Sequence, residues 1–309
     1  MSVLTVVLAL FTALSNASAS VLQRKAAADQ TDGGGRGIRQ AVRWLALVLR
    51  RPHWLAGAGL LALSTVLQAS ALAVGSLSVV QPLLASELLF TLMVGSMVFH
   101  RRPDRRTWGA FAALAGGLAL FLGAAAPSAG RSTAVPGRWA VAGGAALCAV
   151  LLFGAAALLV RGAPRALLLG LASAVSFAVT AALMKEVVGE LGQGVDVVLT
   201  HWPFYAGIVA GTVGFLLLQS AFRAGSLTAS QPALTLGDAV TSVALGWVLF
   251  EERIALGIRV LPEAVGVALI GLGSIGLAST LATGGAWDAA PVRHDGPGSD
   301  TGEPAPGRP

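Results

Sequence analysis

Two carboxylates stand where a run of apolar side chains offers them no solvent. Glu87 lies near the middle of an apolar stretch from 78 to 99, and Asp238 near the middle of another from 227 to 250. A charged side chain at the centre of a bilayer costs about 2.5 to 3.5 kcal/mol on insertion scales, so an acid there needs a reason. Two readings account for the pair: a midplane site that binds a cation or relays protons, or a structural role in which each acid is neutralised or hydrogen-bonded across a helix bundle. As metal ligands, Glu87 and Asp238 would join the Gln68 and Gln219 amides in an oxygen-lined site suited to a hard, partly hydrated cation. Around Asp238 one helical face carries Gln231, Thr235, Thr241 and Ser242; around Glu87 the face carries Val80, Leu84, Thr91 and Val94. With i, i+3 and i+4 residues on one face, Asp238 is expected to be the better solvated of the two.

Two prolines add a second device. Pro82 and Pro232, each preceded by glutamine (Gln81, Gln231), fall inside these apolar stretches. Each removes one backbone donor and frees the carbonyl four residues back, at Ser78 and Thr228. Freed carbonyls at a broken helix coordinate cations, and paired kinks act as gates. Further polar positions share helical faces: Thr12, Asn16, Ser20 and Gln23; Ser64, Thr65 and Gln68; Ser173, Ser176 and Thr180. They line a path or bond between helices.

Enzymatic chemistry finds no comparable support, and the chain is expected not to be an enzyme and to need no cofactor. Gly271-x-Gly273-x-x-Gly276 has the dinucleotide spacing but sits in an apolar helix with no preceding strand, which makes it a packing surface. All four histidines fall in expected loops or the tail, and neither HExxH nor GxSxG occurs. The lone Cys148 excludes an intrachain disulfide and a thiolate cluster.

The elements that would position the acids follow from composition. Of 309 residues 55% are hydrophobic and 12% charged, and mean hydropathy is +0.75. A soluble domain carries about 25% charged residues, so hydrocarbon must be part of this chain's solvent. Thirty-nine glycines and only 6% aromatics favour an all-α helical bundle over a β-barrel. A bilayer core takes about 20 apolar residues per helix. Nine stretches qualify: 3 to 23, 54 to 74, 78 to 99, 107 to 126, 139 to 160, 166 to 184, 203 to 223, 227 to 250 and 261 to 281.

Lys and Arg then orient the bundle. Sixteen of the 21 fall in alternate loops and the tail, led by the 24 to 53 connection and Arg101, Arg102, Arg105 and Arg106; five, including Arg131, Arg138 and Lys185, fall on the other side. That imbalance places the N-terminus outside a plasma membrane and the C-terminus in the cytoplasm. The net charge of +6 is thereby accounted for without nucleic acid. Ile38 to Arg50 is amphipathic and suits the headgroup layer, and residues 282 to 309 read as a disordered cytoplasmic tail.

The chain also repeats itself. LQASALAVGSLSVVQPLL from Leu67 matches LQSAFRAGSLTASQPAL from Leu218 once one residue is skipped, and MVFHRRP falls opposite WVLFEER. Spans 1 to 4 (residues 1–126) therefore recur as spans 6 to 9 (166–281), with span 5 (127–165) as connector. Five spans separate each element from its copy, so the copies are inverted in the membrane, which is the symmetry that supports alternating access around one site. At the single-residue offset, Glu87 and Asp238 are repeat equivalents.

The pattern SLxxxQP, followed by a helix ending in LFEER and the Gly-spaced VGVALIGLGSIGLA, resembles the drug/metabolite transporter (EamA-like) superfamily. The nine spans and the opening ALFTALSNASASVLQRKAA are most similar to its NIPA-type branch of magnesium transporters. The resemblance covers residues 1 to 281 and implies a membrane transporter for a divalent cation such as Mg²⁺. The first copy departs from it, with His100-Arg101-Arg102 against Glu251-Glu252-Arg253. A proton-coupled exporter of a small metabolite or drug, and a non-transporting membrane scaffold, are the alternatives. Expected partners are the lipid bilayer and a small solute or cation; a homodimer is compatible with the pattern.

Overall fold

The computed structural model describes residues 2–28, 52–98, 104–125, 130–224, 227–252 and 260–283. The amphipathic segment Ile38 to Arg50, the His100 to Arg102 run, Gly225, Ser226 and the tail beyond Thr283 lie outside those residues, as does the side chain of Thr228.

Every regular element among the described residues is helical. The order is α1 (Val3–Ala28), α2 (Pro52–Val74), α3 (Leu77–Leu84), α4 (Glu87–Val98), α5 (Arg105–Ala125), α6 (Arg138–Leu159), α7 (Ala163–Glu190), α8 (Val195–Thr200), α9 (Trp202–Ala224), α10 (Leu227–Phe250) and α11 (Val260–Thr283). Among these residues nine stretches are long and apolar enough to cross a membrane. Their bounds follow the sequence expectation closely except at the sixth, which runs Ala163–Gln193 and carries Lys185 and Glu186 inside the helix, not in a loop.

The third span is two helices. Pro82 has no N–H to bond the Ser78 carbonyl, and three residues later the α-helical ladder gives way to tighter i to i−3 bonds: Ala85 N–H to Pro82 O (3.1 Å) and Ser86 N–H to Leu83 O (3.0 Å). The Ser86 hydroxyl donates to the same Leu83 carbonyl at 2.7 Å. The break thus satisfies its own backbone, as a hydrocarbon surrounding requires. Pro232 behaves differently: α10 continues through it without interruption. The expected pair of broken helices is therefore one broken helix and one continuous helix.

Packing divides the spans into three groups. α1 packs on α2, α3 and α4; α7 packs on α9, α10 and α6; α5 and α11 pair with each other. The interior seams are built from alanine, glycine and serine, with Ala9, Ala71, Ala172, Ala174, Ala178 and Ala182 all fully covered. Large apolar residues instead face outward, among them Val141, Leu152, Leu158 and Leu159 on α6, where acyl chains are their solvent. Small residues let backbones approach, which drives association where lipid removes the hydrophobic drive.

The α5–α11 crossing shows the rule most clearly. A Cβ on Gly117 would stand 2.7 Å from the Ile270 nitrogen and 2.8 Å from the Gly266 carbonyl, and one on Gly273 would stand 2.5 Å from the Leu114 nitrogen. The Gly271-x-Gly273-x-x-Gly276 spacing is thus used for helix contact. Asp104 caps α5: its Oδ1 accepts from the Thr107 N–H at 2.8 Å and from the Thr107 hydroxyl, and these bonds hold its carboxyl below the usual carboxylate range.

Gly117→Val should force α5 from α11 and lower the thermal midpoint in detergent by the equivalent of about 1 to 3 kcal/mol, the usual result of overpacking. Gly116→Val, where an added Cβ meets nothing within 4 Å, should be near neutral. Equal behaviour of the two variants in a melting series would contradict the crossing.

Candidate functional site

Glu87 sits at the middle of the bundle for a reason the sequence did not show. It is the first residue of α4, immediately past the break, and not the interior of a continuous helix. An acid at a helix start meets the positive end of the helix dipole. The Asn16 amide of α1 donates to Glu87 Oε2 at 3.1 Å, and the Ser64 hydroxyl of α2 donates to Asn16 Oδ1 at 2.9 Å. Three spans therefore converge on one half-buried carboxylate, and the chain of bonds fixes both its position and the orientation of the Asn16 amide.

Asp238 has the opposite surroundings. Its Oδ1 is buried without a partner. Of the polar stripe expected to solvate it, the Thr235 hydroxyl donates to the Gln231 carbonyl of its own helix at 3.0 Å, and Ser242 Oγ is itself buried without a partner. The expected solvation of Asp238 by this stripe is not met at Thr235, because a hydroxyl on a helical face bonds readily to a carbonyl of its own helix. Nor do the two acids share packed helices: α4 packs on α1, and α10 on α7, α11 and α3.

The remaining candidates divide. Gln81 is buried with Nε2 unpartnered, while Gln68, Gln231 and Thr241 are half-buried. Gln219 is exposed on the outward face of α9, so the matched Gln68/Gln219 amide pair does not form. Thr12 and Thr180 bond the carbonyls of Leu8 and Ser176 in their own helices, and Ser173 bonds Gly214 of α9 at 2.8 Å; these serve packing. Ser78 contributes its hydroxyl and N–H to a contact described next, a role different from a cation-binding carbonyl.

That contact centres on Glu252, two residues past the expected end of the 227 to 250 span. It is fully buried. Its Oε1 accepts from the Leu77 N–H (2.7 Å) and the Lys185 ammonium (2.5 Å); Oε2 accepts from the Ser78 N–H (2.9 Å) and hydroxyl (2.5 Å). Lys185 also lies 4.5 Å from the centre of the Phe250 ring. Ser76, the N-cap of α3, makes no capping bond with its own side chain, so Glu252 caps that helix from 175 residues away. The chain turns into position at Glu251, a non-glycine residue with φ of 55°. Segment 130–137 and the first residue of α6 fasten the turn: Arg131 N–H bonds Phe250 O at 2.7 Å, Val135 N–H bonds Leu249 O at 2.9 Å, and Arg138 reaches Val248 O and Glu251.

At the same end Glu186 accepts the Ala134 N–H at 2.6 Å, and Glu190 pairs with His201 at 3.0 Å. Lys185 and Glu252 were missed because each borders an apolar run. The available signals were the apolar continuation Val187-Val188 after Lys185 and the acidic pair closing the LFEER motif.

Nine apolar spans among the described residues, small-residue seams and acids held inside the bundle define a multi-pass helical membrane protein. The chain belongs to the family of an uncharacterized protein of Corynebacterium glutamicum, with 30% identity over 280 residues that cover 84% of this chain and 92% of that relative. No family profile matches the chain. No solved structure matches it either.

Removing one member of a buried ion pair costs about 3 to 5 kcal/mol because the other charge is left unpaired. Glu252→Ala should therefore lower the melting temperature in detergent strongly, and Glu252→Gln combined with Lys185→Met should recover part of that loss. Glu251→Ala removes a pair whose side chains are 41% and 48% exposed and should cost about 1 kcal/mol or less. A Glu251→Ala loss as large as that of Glu252→Ala would refute the assignment.

Proposed function

We propose that this protein is a secondary transporter of the drug/metabolite type, moving a small solute across the plasma membrane by alternating access, with Glu87 as its central coupling residue. The observation that carries the reading is the broken third span: a half-helix begins at mid-bundle with a carboxylate that side chains of α1 and α2 hold in place. Discontinuous helices near the midplane are where transporters bind solutes and coupling ions.

Packing supports the inverted repeat. The α1–α2 contact corresponds to α7–α9 and the α1–α4 contact to α7–α10 under the repeat, while the last helices of the two copies, α5 and α11, pair across it. The resemblance to the drug/metabolite transporter superfamily, and within it to NIPA-type proteins, supports the same class. Since Lys185 is buried and paired, it leaves the loop count, which strengthens the charge imbalance behind an outside N-terminus and a cytoplasmic C-terminus.

For the solute, Mg²⁺ is the first reading. Glu87, Asn16 and Ser64 present hard oxygen atoms, and Mg²⁺ keeps several waters while using one or two carboxylates. Among the described residues no three His, Cys, Asp or Glu side chains stand together as a metal group, so the ion would stay largely hydrated. Proton-coupled export of a small organic solute is the second reading, favoured by the separation of Glu87 and Asp238 on helices with different packing partners.

Flux through purified protein in liposomes separates these. Mg²⁺ uptake without a pH gradient supports the first reading, and gradient-dependent organic flux the second. Glu87→Gln should slow the active mode at least ~10-fold, since a bond to a charged group is worth about 1.5 to 3 kcal/mol. No flux of either kind, in wild type and variant alike, would leave a scaffold and remove the transporter.

A further inference from the structure

Three buried polar atoms without partners lie on two facing helices. Gln81 Nε2 belongs to α3, and Ser242 Oγ and Asp238 Oδ1 belong to α10. The register between these helices is fixed by Ser78, whose hydroxyl lies 2.6 Å from where a Cβ on Gly246 would be, and by Glu252, which accepts from the α3 N-terminus. From that contact the helices run in opposite directions along the chain. Counted from that contact, Gln81 and Pro82 lie three and four residues along α3 and Ser242 four residues back along α10, while the Ala85–Ser86 break and Asp238 each lie seven or eight residues away, about 12 Å of helix. An unmade hydrogen bond on a buried group costs about 1 to 3 kcal/mol, and native interiors seldom leave such groups without protein, water or ligand. Three of them along one seam mark a path that an occupant fills.

We infer that, on the transporter reading given above, the α3–α10 seam is the solute path between the Glu252 end and the midplane, lined by Gln81, Ser242 and Asp238. The contact of Glu252 with the α3 N-terminus closes it. α3 is built to move: it has eight residues, ends at the turn before Glu87, and begins after Gly75 with a cap supplied by the other half of the chain. When it withdraws, Glu252 keeps Lys185 as its counter-ion, so the opened mouth gains no net positive charge. Asp238 then supplies the seam's one uncompensated carboxylate, with Ser242 Oγ as a second acceptor. The occupant is a cation that presents hydrogen-bond donors, whether as the waters of a hydrated metal ion or as a protonated amine.

Cysteine accessibility tests this in the full chain, in liposomes, with Cys148→Ser as background. Ser242→Cys is nearly isosteric at a fully buried position. The membrane-impermeant trimethylammonium methanethiosulfonate reagent should label it, and should do so faster than the sulfonate reagent of similar size. Ser78→Ala, which removes one bond from the closure and leaves the Lys185 pair intact, should raise the rate ~10-fold, the equivalent of about 1.4 kcal/mol. Glu252→Gln should raise it further where the protein remains monodisperse. Mg²⁺ or ethylammonium should slow labelling, and whichever protects identifies the source of the cation. No labelling of Ser242→Cys or Gln81→Cys in any background, with Mg²⁺ or solute flux intact, overturns the seam and leaves the transporter standing. Cation-selective labelling without any flux upholds the seam and overturns the transporter.

Discussion

A helix that starts among apolar neighbours must find acceptors for its first N–H groups, because hydrocarbon supplies none. α3 meets this requirement with a carboxylate from the far end of the chain. Glu252 accepts from Leu77 and Ser78 while Lys185 neutralises it. Much of the bundle's geometry follows from that contact. It sets the register of α3 against α10, stations the end of α7 beside Phe250, and requires the turn at Glu251 that segment 130–137 then fastens. A buried ion pair is a weak source of stability by itself. Its value here is positional: bonding from two helices of different halves selects one arrangement of the ends.

The two acids of the interior illustrate how much the surroundings decide. Glu87 lies at a helix start, where Asn16 and Ser64 extend its hydrogen bonding into α1 and α2. Asp238 lies within a continuous helix whose own carbonyls have taken the nearby hydroxyl of Thr235. The two interior acids therefore occupy chemically unlike sites. The difference traces to one event, the loss of helical continuity after Pro82 and its retention through Pro232. Both prolines lack the same donor; α10, packed along α7 and α11, continues past the gap, whereas α3 turns at Ala85 and Ser86.

Element-level structure was largely legible because it is set by local hydropathy. The spans, the dense small-residue packing and the helix-contact use of Gly273 could all be read from residue type and spacing. Individual sites were less legible. Gln219 was a candidate by repeat equivalence and faces outward, since helix rotation is fixed by neighbours that a pattern does not name. Hydropathy treats the charge of Lys185 as a boundary and so implies a loop there; its burial depends on a partner 67 residues away.

By itself, the sequence determined the solvent of this protein, the positions of the spans seen among the described residues and the scarcity of charge that makes Glu87 and Asp238 conspicuous, since each follows from composition summed over short windows. Only the tertiary structure decided which charges are paired, which proline breaks its helix and which polar groups are left without partners. Those outcomes depend on contacts between residues far apart in the chain, where a single hydrogen bond in a medium without water decides the arrangement.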